Sequence, residues 1–216
     1  MTRTTEAVIF DCDGVLVDSE DIANRVMTEL LGEADVEMTF EEVVDEFRGR
    51  EMAFVLETAE RLRGGPLPFD LSKRYYESIK AAFENDLRPV PGIVEALQRI
   101  DLPNCVASSG PHHKMEVSLR VTGLWDRFEG RIFSAEDVGI GKPAPDLFLH
   151  AANAMGFVPA TTTVVEDSLP GVRAGVAAGM RVVAYASHTP PDTLRAEGAE
   201  PFLDMVELPD LLSADR

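Results

Sequence analysis

Cysteine and long hydrophobic runs are scarce in this chain of 216 residues. The two cysteines, Cys12 and Cys105, are too few for a disulfide framework and lack metal-site spacing, so we expect both to be reduced and structural. No run reaches the roughly 18 apolar residues that a membrane span requires. The first residues also lack the apolar segment of a secretory signal. These absences predict a cytoplasmic protein that has no membrane partner.

Positive charge is scarce as well, because 20 Lys and Arg residues face 38 Asp and Glu residues, for a net charge of −18. Nucleic acids and anionic lipid surfaces are bound by clustered Lys and Arg, so we expect neither as a partner. A protein this acidic needs local positive charge to handle an anionic substrate, either from a metal cation or from a few basic side chains. The candidates among lysines are Lys73, Lys80, Lys114 and Lys142.

The chain does contain an alternation of strand-like and helix-like segments from Pro89 onward, which predicts a parallel sheet with crossover helices. A short apolar run near the N-terminus predicts one more strand. The fold class is therefore predicted to be α/β. The predicted strands span residues 7–10, 104–107, 131–133, 162–165 and 181–185, and the predicted helices in this part span residues 92–99, 112–122, 146–155 and 169–178.

A helical block interrupts this alternation after the first strand. Ile22, Val26 and Leu30 recur at helical spacing, and Thr39 with Glu42 has the spacing of a capping box at the start of a second helix. Two more helices are predicted over residues 51–63 and 71–85. We therefore predict two domains, an α/β core of residues 1–17 and 88–216 and a helical domain of residues 18–87.

Two carboxylates follow the first predicted strand. Asp11 and Asp13 come directly after the apolar run that ends at Phe10, and Gly14 then turns the chain. Open α/β sheets bind ligands at this end of their strands. Two carboxylates on one side of a strand end repel each other unless a cation or a shared proton lies between them. The alternative is a solvated turn.

Two further strands end in polar groups. Ser108-Ser109-Gly110 follows the second predicted strand and offers a hydroxyl and several backbone N–H groups to a phosphate, although Ser could simply cap the next helix. Glu166 and Asp167 follow the fourth strand and, with Asp11 and Asp13, provide hard oxygen ligands suited to Mg²⁺. The alternative for this acidic pair is a favourable interaction with a helix dipole.

Lys142 lies in the sequence Gly141-Lys142-Pro143-Ala144-Pro145-Asp146, ahead of a helix that we expect Asp146 to cap. A lysine taken alone is usually solvated surface. Together and in this order, the groups at Asp11, Ser108, Lys142 and Glu166 resemble the motifs of the haloacid dehalogenase-like (HAD) hydrolase superfamily, specifically its phosphatase and phosphomutase branch. The resemblance covers essentially the whole chain, with the cap matched by position and helical character.

The resemblance implies a Rossmann-like core with an inserted helical cap, hinged near Asp18 and residues 87–91. It also implies phosphoryl transfer through a covalent aspartyl-phosphate with Mg²⁺ as cofactor. Asp11 would be the nucleophile and Asp13 the general acid and base, while Ser108 and Lys142 would hold the phosphoryl group. The metal ligands implied by the resemblance are Asp11, the backbone carbonyl of Asp13, and Asp167, with Glu166 as a ligand or as an orienting residue.

The implied substrate is a small phosphorylated metabolite, either a sugar phosphate or a sugar-acid phosphate. Ser109 and Gly110 would bind it from the core, and Arg48-Gly49-Arg50 resembles the cap loop that reaches such substrates, although both arginines could be solvated. The core stretch from Ser108 to Met115 is similar to family members that hydrolyse phosphorylated sugar acids such as 6-phosphogluconate. His112, His113 and Lys114 could line the same cleft or simply begin a helix.

Two other functions remain open. A β-phosphoglucomutase-like enzyme would return the phosphoryl group to a sugar, but such enzymes carry a histidine near the position of Ala23, so hydrolysis is favoured. A receiver-type signalling domain uses a similar aspartate, Mg²⁺ and lysine. Its phosphorylated aspartate lies on a middle strand and it lacks an inserted helical block, so this non-enzyme alternative is disfavoured.

Overall fold

The computed structural model describes residues 4–48, 50 and 52–213. The chain divides into two compact units, of which the first comprises Met1–Asp18 and Arg88–Arg216 and the second comprises Ser19–Leu87. At the boundary, the backbone N–H of Asp18 donates to the carbonyl of Arg88 at 3.0 Å. The two segments of the first unit are joined there a second time, since the Val90 N–H donates to the carbonyl of Leu16 at 3.1 Å.

A six-stranded sheet forms the centre of the first unit, and every neighbouring pair of strands in it is parallel. The spatial order of the strands is β3-β2-β1-β4-β5-β6. This arrangement confirms the predicted α/β class. The strands are β1 (Ala7–Phe10), β2 (Asn104–Ser108), β3 (Ile132–Ser134), β4 (Thr162–Glu166), β5 (Arg181–Tyr185) and β6 (Glu200–Phe202).

Helices make up the second unit, and they lie along the chain where the sequence predicts helices. The capping box predicted at Thr39 and Glu42 is confirmed, because the Glu42 N–H donates to Thr39 Oγ1 while the Thr39 N–H donates to Glu42 Oε2. Val26, Leu30 and Ile79 are among the side chains that these helices bury. The helices are α1 (Glu20–Glu33), α2 (Phe40–Phe47), α3 (Met52–Arg63) and α4 (Leu71–Asp86).

The remaining helices connect the strands of the first unit. They are α5 (Ile93–Arg99), α6 (His112–Val121), α7 (Trp125–Phe128), α8 (Asp146–Met155), α9 (Leu169–Ala177), α10 (Pro191–Ala196) and α11 (Leu208–Ser213). Ser168 is the N-cap of α9, as predicted, and its side chain accepts a hydrogen bond from the Gly171 N–H. The prediction that Asp146 caps α8 is wrong. Pro145 occupies that position and Asp146 is the first helical residue, where its carboxylate still favourably meets the helix dipole.

Strand β1 is buried along its whole length and has hydrophobic partners on both faces. Ile9 belongs to a core cluster with Leu147 and Phe148 of α8. Phe10 faces the other side, as successive strand residues do, and meets Phe128 edge to face with ring centroids 6.0 Å apart. Each fully buried side chain of this size contributes about 1.5–3 kcal/mol of hydrophobic stabilisation. The residues that follow β1 therefore start from a rigid base.

Among the described residues, no helix combines the length and apolar character needed to cross a membrane.

Candidate active site

The polar groups predicted at the strand ends meet because β1 lies between β2 and β4 in the sheet. Phe10 is in register with Val106 on one side and Val165 on the other. The Asp11 N–H extends this pairing by donating to the carbonyl of Val165 at 2.9 Å. The carboxyl ends of three adjacent strands thus deliver Asp11, Ser108 and Glu166 to one edge of the sheet.

Lys142 enters this edge from the loop before α8 and contacts two of the carboxylates. Its Nζ lies 2.6 Å from Asp11 Oδ1 and 2.7 Å from Glu166 Oε1, and the side chain is almost completely buried. Burial disfavours the charged form, but the charges and hydrogen bonds of Asp11 and Glu166 outweigh it and raise the pKa of Lys142 above its ordinary value. Lys142 is therefore a fixed ammonium group beside the Asp11 carboxylate.

Glu166 is completely buried, and both of its carboxylate oxygens accept hydrogen bonds. Oε1 accepts from Lys142, while Oε2 accepts from the N–H groups of Asp167 and Ser168 and from Ser168 Oγ, each at 2.9 Å. The space for this carboxylate exists only because residue 171 is glycine. A Cβ on Gly171 would lie 1.7 Å from Glu166 Oε1.

Asp167 requires a glycine neighbour in the same way. Gly14 has a φ of +76°, and a Cβ at this position would lie 2.0 Å from Asp167 Oδ2. Only glycine combines this left-handed backbone with such a close approach. The turn after β1 is thereby shaped to let the Asp167 carboxylate approach the backbone of the Asp11–Gly14 segment.

The buried acids form a cluster that could hold a metal ion. One carboxylate oxygen from each of Asp11, Glu166 and Asp167 lies within 4.8 Å of the others. Burial, opposed by Lys142 but reinforced by the charges of Glu166 and Asp13, raises the pKa of Asp11 to about 7. A divalent cation among these groups would favour the ionised form again. Clustered carboxylate oxygens are the donors that Mg²⁺ prefers, so the residues present fit this ion.

The loop after β2 is held in shape by hydrogen bonds of its own. The Gly110 N–H donates to Ser108 Oγ at 3.1 Å, and Ser134 Oγ donates to the Gly110 carbonyl at 2.8 Å. Ser109 Oγ accepts from the backbone N–H of Lys142 at 3.3 Å, which ties this loop to the lysine loop. The buried hydroxyl of Ser108 and the start of α6 thus lie close to the Asp11 edge of the sheet.

Asp13 has a partner that the sequence does not predict. Lys114 Nζ, from the first turn of α6, lies 2.7 Å from Asp13 Oδ2. The two residues are 101 positions apart, and the sequence left open whether Lys114 faces the cleft or solvent. The one feature of the sequence that could have indicated this contact is the scarcity of lysine, because an acidic protein needs positive charge near an anionic substrate. Both Lys114 and Lys142 contact acids of this site. His112 instead pairs with Asp137 at the surface, with Nε2 2.8 Å from Oδ1.

The remaining predicted substrate contacts belong to the second unit. Arg48 Nε lies 3.3 Å from Glu20 Oε2, and the Arg50 guanidinium stacks over the Phe54 ring at 4.8 Å from its centroid. Gly49, between the two arginines, lies outside the described residues. Each arginine thus has a partner within the helical unit.

The comparison with known families agrees with this geometry. The model of the family described as "haloacid dehalogenase-like hydrolase" matches residues 5–179, which include every strand-end group described above. The chain belongs to the haloacid dehalogenase-like hydrolase family. The resemblance inferred from the motifs is therefore confirmed, as is the expectation of an enzyme.

Individual relatives of this HAD-like hydrolase cover nearly its whole length. The 6-phosphogluconate phosphatase of Escherichia coli is 31% identical over 210 residues, covering 97% of this chain and 95% of the relative. A HAD-like protein of unknown function from Agrobacterium tumefaciens is 38% identical, with a TM-score of 0.84 over 97% of this chain and 98% of the other. A HAD family hydrolase from Deinococcus radiodurans, with bound phosphate and sodium, is 29% identical with a TM-score of 0.80 over 99% and 97% of the two chains.

Proposed function

We propose that this HAD-like hydrolase is a Mg²⁺-dependent phosphatase that hydrolyses a small phosphorylated metabolite through a phosphorylated Asp11. The observation that carries the proposal is the buried arrangement in which Lys142 contacts Asp11 and Glu166 while Asp167 lies beside them. Four ionisable groups are seldom buried together in a structural core, because each unpaired charge costs several kcal/mol. Family membership and the phosphatase relative support the same function.

Asp11 is the nucleophile in the proposed mechanism. A carboxylate oxygen of Asp11 forms a bond to phosphorus as the bond between phosphorus and the ester oxygen breaks. Lys142 is fixed at 2.6 Å from Asp11, so its ammonium group aligns the carboxylate and stabilises the negative charge on the transferring phosphoryl group. Ser108 and nearby backbone N–H groups of the loop after β2 donate hydrogen bonds to the remaining phosphoryl oxygens.

Asp13 is the proposed general acid and base. It gives its proton to the departing ester oxygen, and as a carboxylate it then takes a proton from the water that attacks the phosphorylated Asp11. That attack breaks the bond between phosphorus and Asp11 and releases inorganic phosphate. The two residues have the same type of side chain but different partners, since Asp11 contacts Lys142 and Asp13 contacts Lys114.

Mg²⁺ would be held by the carboxylates of Asp11 and Asp167 and by the backbone carbonyl of Asp13, and when bound it supplies positive charge beside the phosphoryl group. The hydrogen bonds of Glu166 favour the second of its two expected roles. Both of its oxygens accept bonds from protein donors, so we assign it to orienting Lys142 and the backbone of Asp167.

The substrate is proposed to be a sugar phosphate or sugar-acid phosphate, in line with the phosphatase relative from E. coli. Residues 19–87 are proposed to act as the cap that selects it, with Arg48 and Arg50 as candidate contacts for an anionic substrate group. Ser109 and Gly110 would contact the phosphate from the core. Ala23, where mutases of this family carry a histidine, favours release of phosphate to water over transfer to a sugar.

The test is phosphate release by the purified protein with Mg²⁺ from a panel of phosphorylated sugars, sugar acids, glycolate and nucleotides, ranked by kcat/KM. Asp11→Asn should lower turnover of the best substrate by roughly 10³-fold or more while leaving the fold intact. Asp210→Asn, which changes an exposed aspartate on α11, is the matched control and should retain full activity. Full turnover by the Asp11→Asn protein would remove Asp11 from the mechanism.

A further inference from the structure

The ion pair between Lys114 and Asp13 has no assigned role in the reaction proposed above. We propose that Lys114 is a positioning residue, which holds the Asp13 carboxylate in the orientation needed for proton transfer. The inference rests on the proposed phosphatase function. It adds a second lysine with a task distinct from that of Lys142, which is committed to Asp11 and Glu166.

The contact between the two side chains is short and partly shielded from water. Lys114 Nζ lies 2.7 Å from Asp13 Oδ2, and the lysine side chain is 12% exposed while the aspartate side chain is 26% exposed. A fully exposed Lys–Asp ion pair contributes little to stability, because both side chains must be ordered in water. Partial burial and the short distance instead make this an ordered, charge-assisted hydrogen bond.

Lys114 is itself held in place by the start of α6. The His112 N–H donates to Glu136 Oε2 at 3.0 Å, and the Lys114 carbonyl accepts from Ser118 Oγ at 2.9 Å. The lysine stem then passes along the loop after β2, since a Cβ on Gly110 would lie 3.6 Å from Lys114 Cδ and 3.7 Å from Asp13 Oδ2. Lys114 therefore links Asp13, which follows β1, to the loop that would bind the phosphate.

Orientation matters for Asp13 because it acts twice. It must give a proton to the ester oxygen as the bond from phosphorus to that oxygen breaks, and then take one from water as the bond from phosphorus to Asp11 breaks. A misplacement of about 1 Å can lower a rate by roughly 10²-fold. A cation fixed on one carboxylate oxygen restricts rotation of the carboxylate and so favours a single orientation.

Leaving-group dependence separates positioning of Asp13 from other roles. Phenolate, whose conjugate acid has a pKa of about 10, needs a proton when it departs, whereas p-nitrophenolate is a much better leaving group. The experiment measures kcat/KM for phenyl phosphate and p-nitrophenyl phosphate, with Mg²⁺, for Lys114→Met. We expect kcat/KM for the phenyl ester to fall by about 10- to 100-fold, which is part of the rate factor that a general acid contributes. For the p-nitrophenyl ester, kcat/KM should fall by less than about 3-fold.

A double-mutant cycle with Asp13→Asn tests whether Lys114 acts through Asp13. If it does, Lys114→Met should change kcat/KM for phenyl phosphate by less than about 2-fold in the Asp13→Asn background. Lys114→Arg, which keeps the cation, should recover much of the activity that Lys114→Met loses toward phenyl phosphate. Arg120→Met removes an exposed cation from the same helix and should leave both esters unchanged.

Two results would overturn the proposal. One is an equal loss for both esters, which would indicate a structural role or direct contact with the phosphate. The other is a loss that persists in the Asp13→Asn background. Should Lys114→Met fail to fold, Lys114→Gln answers the same question. These outcomes are distinct from failure of the phosphatase function itself, in which the wild-type protein would release phosphate from neither ester.

Discussion

Gly171→Ala tests the site through a conflict between two physical effects. In a helix, alanine is more stable than glycine by about 0.5–1 kcal/mol, so helix propensity alone predicts a stabilised α9. The structure predicts the opposite, because the new Cβ would lie 1.7 Å from Glu166 Oε1 and 1.9 Å from its Cδ. The carboxylate must therefore move.

The magnitude follows from the hydrogen bonds that hold the carboxylate. Glu166 accepts bonds from Lys142 Nζ, the Asp167 and Ser168 N–H groups and Ser168 Oγ. A hydrogen bond to a charged group contributes about 1.5–3 kcal/mol, so losing two of them costs about 3–6 kcal/mol. After the gain in helix propensity is subtracted, we expect the free energy of unfolding to fall by about 2–5 kcal/mol.

The assay is urea unfolding followed by the fluorescence of Trp125, the sole tryptophan, which lies in the first unit. Far-UV circular dichroism reports on both units. Gly32→Ala in α1 is the control, because nothing lies within 4 Å of a Cβ there, and this variant should be neutral or slightly more stable by circular dichroism. Phosphatase activity of Gly171→Ala should also fall, since Lys142 loses its fixed partner. An increase in stability of about 1 kcal/mol would refute the reasoning.

Three further predictions concern the same unit. Lys142→Met leaves the buried Asp11 and Glu166 carboxylates without their cation, so the free energy of unfolding should fall by about 3–5 kcal/mol in EDTA. The fall should be smaller in Mg²⁺, measured by thermal unfolding, and equal falls would argue against a metal at these acids. Gly14→Ala places a Cβ 2.0 Å from Asp167 Oδ2 at a φ of +76°, so the Mg²⁺ concentration for half-maximal activity should rise, and an unchanged value would contradict the assignment of Asp167. Burial opposes ionisation of Asp137, but the Ser134 N–H and His112 outweigh it and lower its pKa below 3.8. The stability that it contributes is therefore present above pH 3.8 and lost as pH falls through the lower folded-state pKa. The difference in unfolding free energy between wild type and Asp137→Asn should shrink over that range and would be pH-independent if the contact were absent.

The sheet was predictable where the strands are apolar and central. The predicted strand 7–10 matches β1, and the predicted strands 104–107 and 162–165 differ from β2 and β4 by one residue at the end. The sequence does not predict β6, because Pro201 interrupts it and its residues are partly exposed, as an edge strand permits. Short helices such as α7 and α11 span too few residues to show a helical period.

The side-chain contacts of the site were harder to predict than its members. Strand ends in a parallel sheet indicate that Asp11, Ser108 and Glu166 lie near one another. The hydrogen bonds of Glu166, however, depend on the turn at residues 166–168 and on the missing Cβ of Gly171. The Lys114 contact depends on which way a side chain leaves the first turn of α6, and spacing in the sequence does not determine that direction.

The central position of β1 in the sheet has a consequence for synthesis of the chain. Val8 of β1 pairs with Asn104 of β2 on one side and Thr163 of β4 on the other, so β1 has no partner in the sheet until β2 has been made. At about 5–20 residues per second, the roughly 90 residues between β1 and β2 take about 5–20 s to synthesise. A fully apolar strand is unpaired for that time and can pair with other chains. The helical unit is encoded within that interval and is the part of the nascent chain able to fold first, so the segment carrying Asp11 must be protected from aggregation until β2 and β4 are made.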